Sequence, residues 1–131
     1  MTVVDASALL AILEEEPDAE AYAQAIAEAD PPLISAASLV EAGIVMLSRH
    51  GSRGLRKVNR LIQEAGFQVE SVTTQQAHQA VEAYAAFGKG QKNKAGLNYG
   101  DCFSYALAKV TGLPLLFKGS DFRQTDITPA L

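Results

Sequence analysis

Two stretches near the C-terminus, LNYGDCFSYALAK at 97–109 and LLFKGSDF at 115–122, restrict the fold of this chain more than any others. In the first, Tyr99, Phe103, Leu107 and Val110, with Cys102 and Ala106, recur at three- and four-residue spacings, which predicts a helix with one apolar face. Asp101 falls in its first turn. Gly112 and Pro114 end the helix, and Leu115-Leu116-Phe117 reads as a short strand buried on both faces, as parallel strands are. Asp121 follows that strand. Each stretch thus places a carboxylate beside the end of a sheet, where functional groups of open α/β folds collect.

The rest of the chain repeats the alternation. Thr2-Val3-Val4 is a β-rich run ending at Asp5, and Ala6 to Leu13 continues as a short helix with Leu9, Leu10 and Leu13 on one face. Asp18 to Ala29 is an alanine-rich helix, with Asp18 as N-cap and Asp30-Pro31-Pro32 as its stop. Leu33-Ile34-Ser35 is a second strand, and Ser38 opens a helix that runs through Glu41 to about Arg49. Gly51 and Gly54 flank a turn before a further helix to about Ala65. Phe67 to Val72 alternates as a third strand, and Thr74 to Phe87 forms another helix. Residues 88–98 (GKGQKNKAGLN) make a flexible loop longer than most connections in a compact domain, and Asp126-Ile127 is a candidate edge strand. Strands alternating with helices at this density predict a three-layer α/β/α fold with a mostly parallel sheet, built as one domain over residues 1–131.

The single cysteine, Cys102, rules out an internal disulfide, and no apolar run approaches a membrane span; a cytoplasmic protein is expected. The net charge of −4 conceals a strong asymmetry. Residues 1–30 hold eight acids and no Lys or Arg, whereas Arg49, Arg53, Arg56, Lys57, Arg60, Lys89, Lys92 and Lys94 supply eight of the eleven cations. Four acids neutralised in a metal site would cancel the whole net charge, so the acidic pI does not exclude an RNA partner.

An acid recurs at the end of a strand or the start of a helix: Asp5, Glu41, Asp101 and Asp121. In a parallel sheet those positions share one edge. At an effective dielectric of 20, two such carboxylates about 4 Å apart repel by roughly 4 kcal/mol, so a bound cation is the economical solution. All-oxygen donors favour Mg²⁺ or Mn²⁺ over zinc. Each acid also has a local explanation. Asp5 can cap a helix, Asp101 can complement a helix dipole, Glu41 stands at capping-box spacing from Ser38, and Asp121 can be a turn residue. Caps, however, need not all fall on one edge of one sheet.

Asp5-Ala6-Ser7 after an apolar strand, Ser38 and Glu41 three apart, Gly100-Asp101 heading an alanine-rich helix, and Gly119-Ser120-Asp121-Phe122 resemble the ordered motifs of PIN-domain ribonucleases. More narrowly, LNYGDCFSYALAK and LLFKGSDF resemble the VapC-type toxins of bacterial toxin–antitoxin pairs. The resemblance spans essentially the whole chain. It implies acidic Mg²⁺ or Mn²⁺ coordination by Asp5, Glu41, Asp101 and Asp121, endonucleolytic cleavage of RNA, a small VapB-type antitoxin as partner, and a homodimer. Ser7 matches the family's small hydroxyl residue near the metal, and Asp126 resembles an additional acid of some members, although an edge-strand surface acid explains it as well. Metal-activated water would leave a 5′-phosphate and a 3′-hydroxyl.

Lys89, Lys92 and Lys94 are candidates to hold the RNA backbone, with Lys118 beside them in role. The arginine run reads first as a solvated helix face. Helical spacing assigns Tyr99 and Phe103 to the core rather than to base stacking. The competing classes fit less well. A phosphoacceptor receiver domain needs paired acids after the first strand and an aspartate after a middle one, but Asp5 stands alone and Thr73-Thr74 follow the third strand. A phosphatase with two aspartates two residues apart would need one at position 7, which is Ser. A non-hydrolytic PIN domain is the remaining alternative.

Overall fold

The computed structural model describes residues Met1–Leu131 throughout. Its sheet has four strands, β1 (Thr2–Val4), β2 (Pro32–Ser35), β3 (Gln68–Glu70) and β4 (Leu115–Leu116), in the order β3-β2-β1-β4. Every pairing is parallel, with Val3 opposite Leu33 and Leu115. The chain leaves β1 toward β2 and β3 and returns for β4 on the other side. This reversal opens a crevice beside the C-terminal end of β1, the kind of place where ligands of open α/β sheets bind.

Alternation along these short strands feeds two cores. Val3, Leu33 and Leu115 pack with α4 (Thr74–Phe87) and α5 (Tyr99–Thr111), on residues such as Ala83, Cys102 and Leu107. Val4 and Leu116 face the other way, onto Ala8 and Ala11 of α1 (Ala6–Leu13) and Tyr22 and Ile26 of α2 (Ala19–Ala29). Ile34 meets Leu9 of α1 and Met46 of α3 (Ala36–Glu64) on that side. The predicted three-layer α/β/α arrangement with a parallel sheet is therefore what forms. Leu9, Ile34, Leu107, Leu115 and Leu116 are fully buried, each adding about 1.5–3 kcal/mol by leaving water.

Several boundaries differ from expectation. Helical hydrogen bonding runs from Ala36 to Glu64, broken at Gly51, whose φ of 65° and ψ of −154° suit only glycine. The break is sharp. Gly54 lies against the Met46 carbonyl and His50, although eight residues of straight helix would separate Gly54 from Met46 by about 12 Å. The expected turn between two helices is thus present as a bend. Asp18 precedes α2 but makes no side-chain cap, and Asp126-Ile127 forms no strand. A one-residue bridge at Pro129 pairs with Leu115 instead, because β4 is only two residues long and offers little edge to extend.

The apolar face of α5 is rotated from its expected position. Cys102 and Ser104 to Ala108 are buried, but Tyr99 is 69% exposed and Phe103 only half-buried. α5 is flanked by α3 and α4 as well as the sheet, so its buried arc follows three neighbours rather than one stripe. The 88–98 segment is not a loose arm. Lys89 N–H donates to Leu97 O and Leu97 N–H to Phe87 O, closing its base, while the Asn93 amide bonds Gly88 O and receives the Ala95 and Gly96 N–H groups.

Candidate active site

Asp5, Glu41, Asp101 and Asp121 line one polar cleft of about 230 Å³ at the C-terminal edge of the sheet, with Ser7, Asn98 and Lys118 on its walls. Each arrives by a different route. Asp5 directly follows β1, Glu41 lies in the second turn of the helix that follows β2, and Asp121 opens a short 3₁₀ turn (Asp121–Gln124) after β4. Asp101 follows no strand. It heads α5, which runs back along the sheet into β4 and so must begin at the same edge.

Asp5 is nearly sealed, at 4% exposure. Its Oδ2 accepts from Ser7 N–H at 3.0 Å and Ser7 Oγ at 2.6 Å, and Oδ1 accepts from Ser104 Oγ at 2.5 Å. The helix-capping role considered from sequence is therefore real and coexists with the cleft position. Ser7 Oγ in turn accepts the Lys118 N–H at 3.0 Å, which ties the end of β4 to the start of α1.

Ser38 does not open α3. Ser35 is the N-cap, its hydroxyl accepting from Ala37 N–H, so the capping-box explanation of Glu41 falls away. Ser38 is instead buried against Ser104, their hydroxyls 3.0 Å apart. The Glu41 carboxylate rests on Gly100, in the first turn of α5, where any Cβ would collide with it. Burial raises the Glu41 carboxyl above its ordinary range, and the Asp5 charge raises it further.

Asp101 closes a capping box with Asn98. Its N–H donates to Asn98 Oδ1 at 2.9 Å, and its Oδ2 accepts the Asn98 N–H at 3.0 Å. Burial nevertheless pushes its carboxyl up to about 7. The Asn98 bond opposes that rise, and the charges of Asp5, Asp121 and Glu41 add to it. The four acids line one cleft closely enough that the charges of the other three bear on Asp101.

No basic side chain makes an ion pair with any of the four. Lys118 borders the cleft, but its Nζ is held by Glu16 and by Asp18 at 3.1 Å, turned from the acids. Asp126 lies outside the cleft, bonded to Tyr105 Oη and Lys109 Nζ, each at 2.6 Å. Burial works to raise its carboxyl, but those two bonds prevail and hold it low. Lys89, Lys92 and Lys94 are exposed and none lines the cleft, nor do Arg53, Arg56, Lys57 and Arg60.

Sequence reading passed over Asn98 and Ser104, and took Gly100 only as part of the Gly100-Asp101 motif. Asn98 was legible, standing at capping-box spacing before Asp101. Gly100 and Ser104 carry no such signal, since their importance lies in contacts with other elements. Cys102, as expected, is a core thiol, pushed up to about 11 by burial and by the Asp101 charge. The largest concavity is a different one, an apolar groove of about 780 Å³ between α4 and α5 that includes Val81, Tyr84 and Tyr99.

A parallel sheet with a carboxylate-lined crevice at its switch point defines an acidic-site α/β domain, and comparison with known proteins gives it a family. The PIN domain family matches residues 2–127. A VapC ribonuclease of Mycobacterium bovis is 52% identical over 98% of this chain and 97% of its own length. A VapC ribonuclease of Mycolicibacterium smegmatis is 50% identical over 95% of this chain and 96% of its own. Among solved structures, Mycobacterium tuberculosis VapC20, described as a sarcin–ricin-loop-cleaving toxin, superposes with a TM-score of 0.79 at 18% identity, covering 98% of this chain and 97% of that one. A toxin–antitoxin complex from Klebsiella pneumoniae gives 0.70 at 18% identity, covering 96% and 93%. The chain belongs to the PIN domain family and, within it, to the VapC ribonucleases.

Proposed function

We propose that this chain is a divalent-cation-dependent endoribonuclease, the toxin of a toxin–antitoxin pair. The observation that carries this reading is the convergence of four carboxylates without a basic partner on one cleft. The donor set fits Mg²⁺ or Mn²⁺, being all oxygen. No three of the acids stand close enough to hold a cation by themselves, so water would have to complete the coordination of a Mg²⁺ bound through one or two of them. Asp5 and Asp101 would hold the cation, with Glu41 and Asp121 bonded directly or through water. When bound, it supplies a water of lowered pKa and neutralises charge building on the phosphate.

The chain's own groups do the rest. Ser7 holds Asp5, Asn98 aims Asp101, and the wall formed by Gly100 seats Glu41. Water adds to phosphorus and gives a proton to the carboxylate cluster, and the bond to the 3′ oxygen breaks as that oxygen takes a proton from solvent, leaving a 5′-phosphate and a 3′-hydroxyl. The RNA 2′-hydroxyl takes no part. The same reading assigns an antitoxin and a second copy of the chain to the exposed apolar surfaces. These include Val40, Ile44 and Leu47 on α3 and the groove between α4 and α5. Sedimentation alone and with the product of an adjacent gene measures both associations.

The test is cleavage of labelled RNAs by the purified chain in Mg²⁺, Mn²⁺ or EDTA, alongside folded Asp5→Asn and Asp101→Asn. Cutting that needs the cation and is lost by about 10²-fold or more in both variants is the expected result. Cutting that survives both substitutions would remove the four acids from the chemistry.

A further inference from the structure

The cleft is backed by two buried hydroxyls that the proposed reaction does not use. Ser104 is 0% exposed and Ser38 1%. Alanine would fill either place without a polar group to satisfy, so their arrangement calls for a physical reason. Ser104 has one proton, and it points at Asp5 Oδ1 across 2.5 Å. In the 3.0 Å contact between the serines, Ser38 is therefore the donor and Ser104 the acceptor. The direction of the chain is Ser38 to Ser104 to Asp5.

This relay joins the three elements that carry the deepest acids. Ser38 lies on α3, one turn before Glu41; Ser104 lies on α5, one turn after Asp101; Asp5 ends β1. Hydrogen bonds to an ionised acceptor are about twice as strong as neutral ones, and the relay polarises Ser104 further toward Asp5.

Counting lone pairs shows what the relay accomplishes. A carboxylate oxygen offers about two acceptor sites. Both sites of Asp5 Oδ2 are taken, by Ser7 N–H and Ser7 Oγ. Oδ1 has one site taken, by Ser104, and one left. We propose that Ser104, backed by Ser38, is a positioning residue that makes Asp5 a one-oxygen ligand, presenting the remaining lone pair of Oδ1 to the cation. The inference rests on the metal-dependent reading above and specifies how its central ligand is aimed.

The experiment measures Mn²⁺ binding by calorimetry for wild type, Ser104→Cys, Ser104→Ala and Ser38→Ala, with thermal melts in EDTA and RNA cleavage kinetics on the same samples. Cysteine is somewhat larger than serine and a weak donor, so it weakens the hydrogen bond without opening a cavity, while alanine removes the bond without adding bulk. Loss of a group that orients a metal ligand costs 10–100-fold in affinity, and Ser104→Cys and Ser104→Ala should both fall in that range. Ser38→Ala should lose less, because Ser104 still donates. The kcat should fall with the RNA KM unchanged.

Wild-type affinity in Ser104→Cys would overturn the inference alone. It is overturned equally if the serine variants lower the EDTA melting temperature but leave Mn²⁺ affinity intact, since that is a packing role. A wild type that binds no Mn²⁺ would overturn the functional reading and this inference with it.

Discussion

Asp101 shows how one residue's surroundings reach into stability. Its carboxyl titrates near 7 in the folded chain against 3.8 for the free side chain, with burial the chief cause. The folded state therefore holds a proton that the unfolded state has already released. Stability from this group is complete below about pH 4 and is lost as the pH rises through about 7. The full shift corresponds to roughly 4 kcal/mol, which the partial exposure of the group reduces to about 1–2 kcal/mol. In EDTA, the melting temperature should fall between about pH 4 and 7. Asp101→Asn should flatten that fall and melt higher than wild type at pH 8. Mg²⁺ competes with the same proton, so it should raise the wild-type melting temperature more at pH 8 than at pH 5. A melt in EDTA that rises over this range, unaltered by Asp101→Asn, would mean that Asp101 does not hold a proton in the folded state.

At the scale of elements, the seat of Glu41 is a contact between two helices. Gly100 occupies the second position of α5, where alanine would normally strengthen a helix by up to about 1 kcal/mol. Here the added methyl meets the Glu41 carboxylate. Gly100→Ala should keep or raise the melting temperature while cleavage falls by about 10–100-fold, the cost of moving a group in a reacting site by about 1 Å. Full activity in this variant would show that Glu41 does not need its present position. The bend at Gly51 belongs to the same scale. It folds the second half of α3 back so that Val58 joins Leu9 and Met46 in one core.

For the whole molecule, charge is sorted by place. The cleft holds four acids and no free cation, so attraction for an RNA backbone must come from outside it. Replacing Lys89, Lys92 and Lys94 together by alanine should lower the slope of log affinity against log salt by about 2, at about 0.7 per single-strand phosphate contact. Mn²⁺ affinity should stay the same. An unaltered slope would take these lysines off the substrate path.

The order of strands and helices, and the four acids at their ends, were determined by the sequence itself. Hydrophobic periodicity and turn residues act over a few neighbouring positions, and a parallel α/β sheet brings strand ends together whatever the details. Asp5, Glu41, Asp101 and Asp121 were legible for that reason. Local spacing misplaced the start of α3, the exposure of Tyr99 and the part played by Ser38, because each depends on which neighbours cover a residue. Only the tertiary structure decided that Ser104 meets Asp5, 99 positions away in the chain, that Gly100 seats Glu41, and that Lys118 turns to Glu16 and Asp18. Those are contacts between elements, and their geometry exists only once the layers have packed.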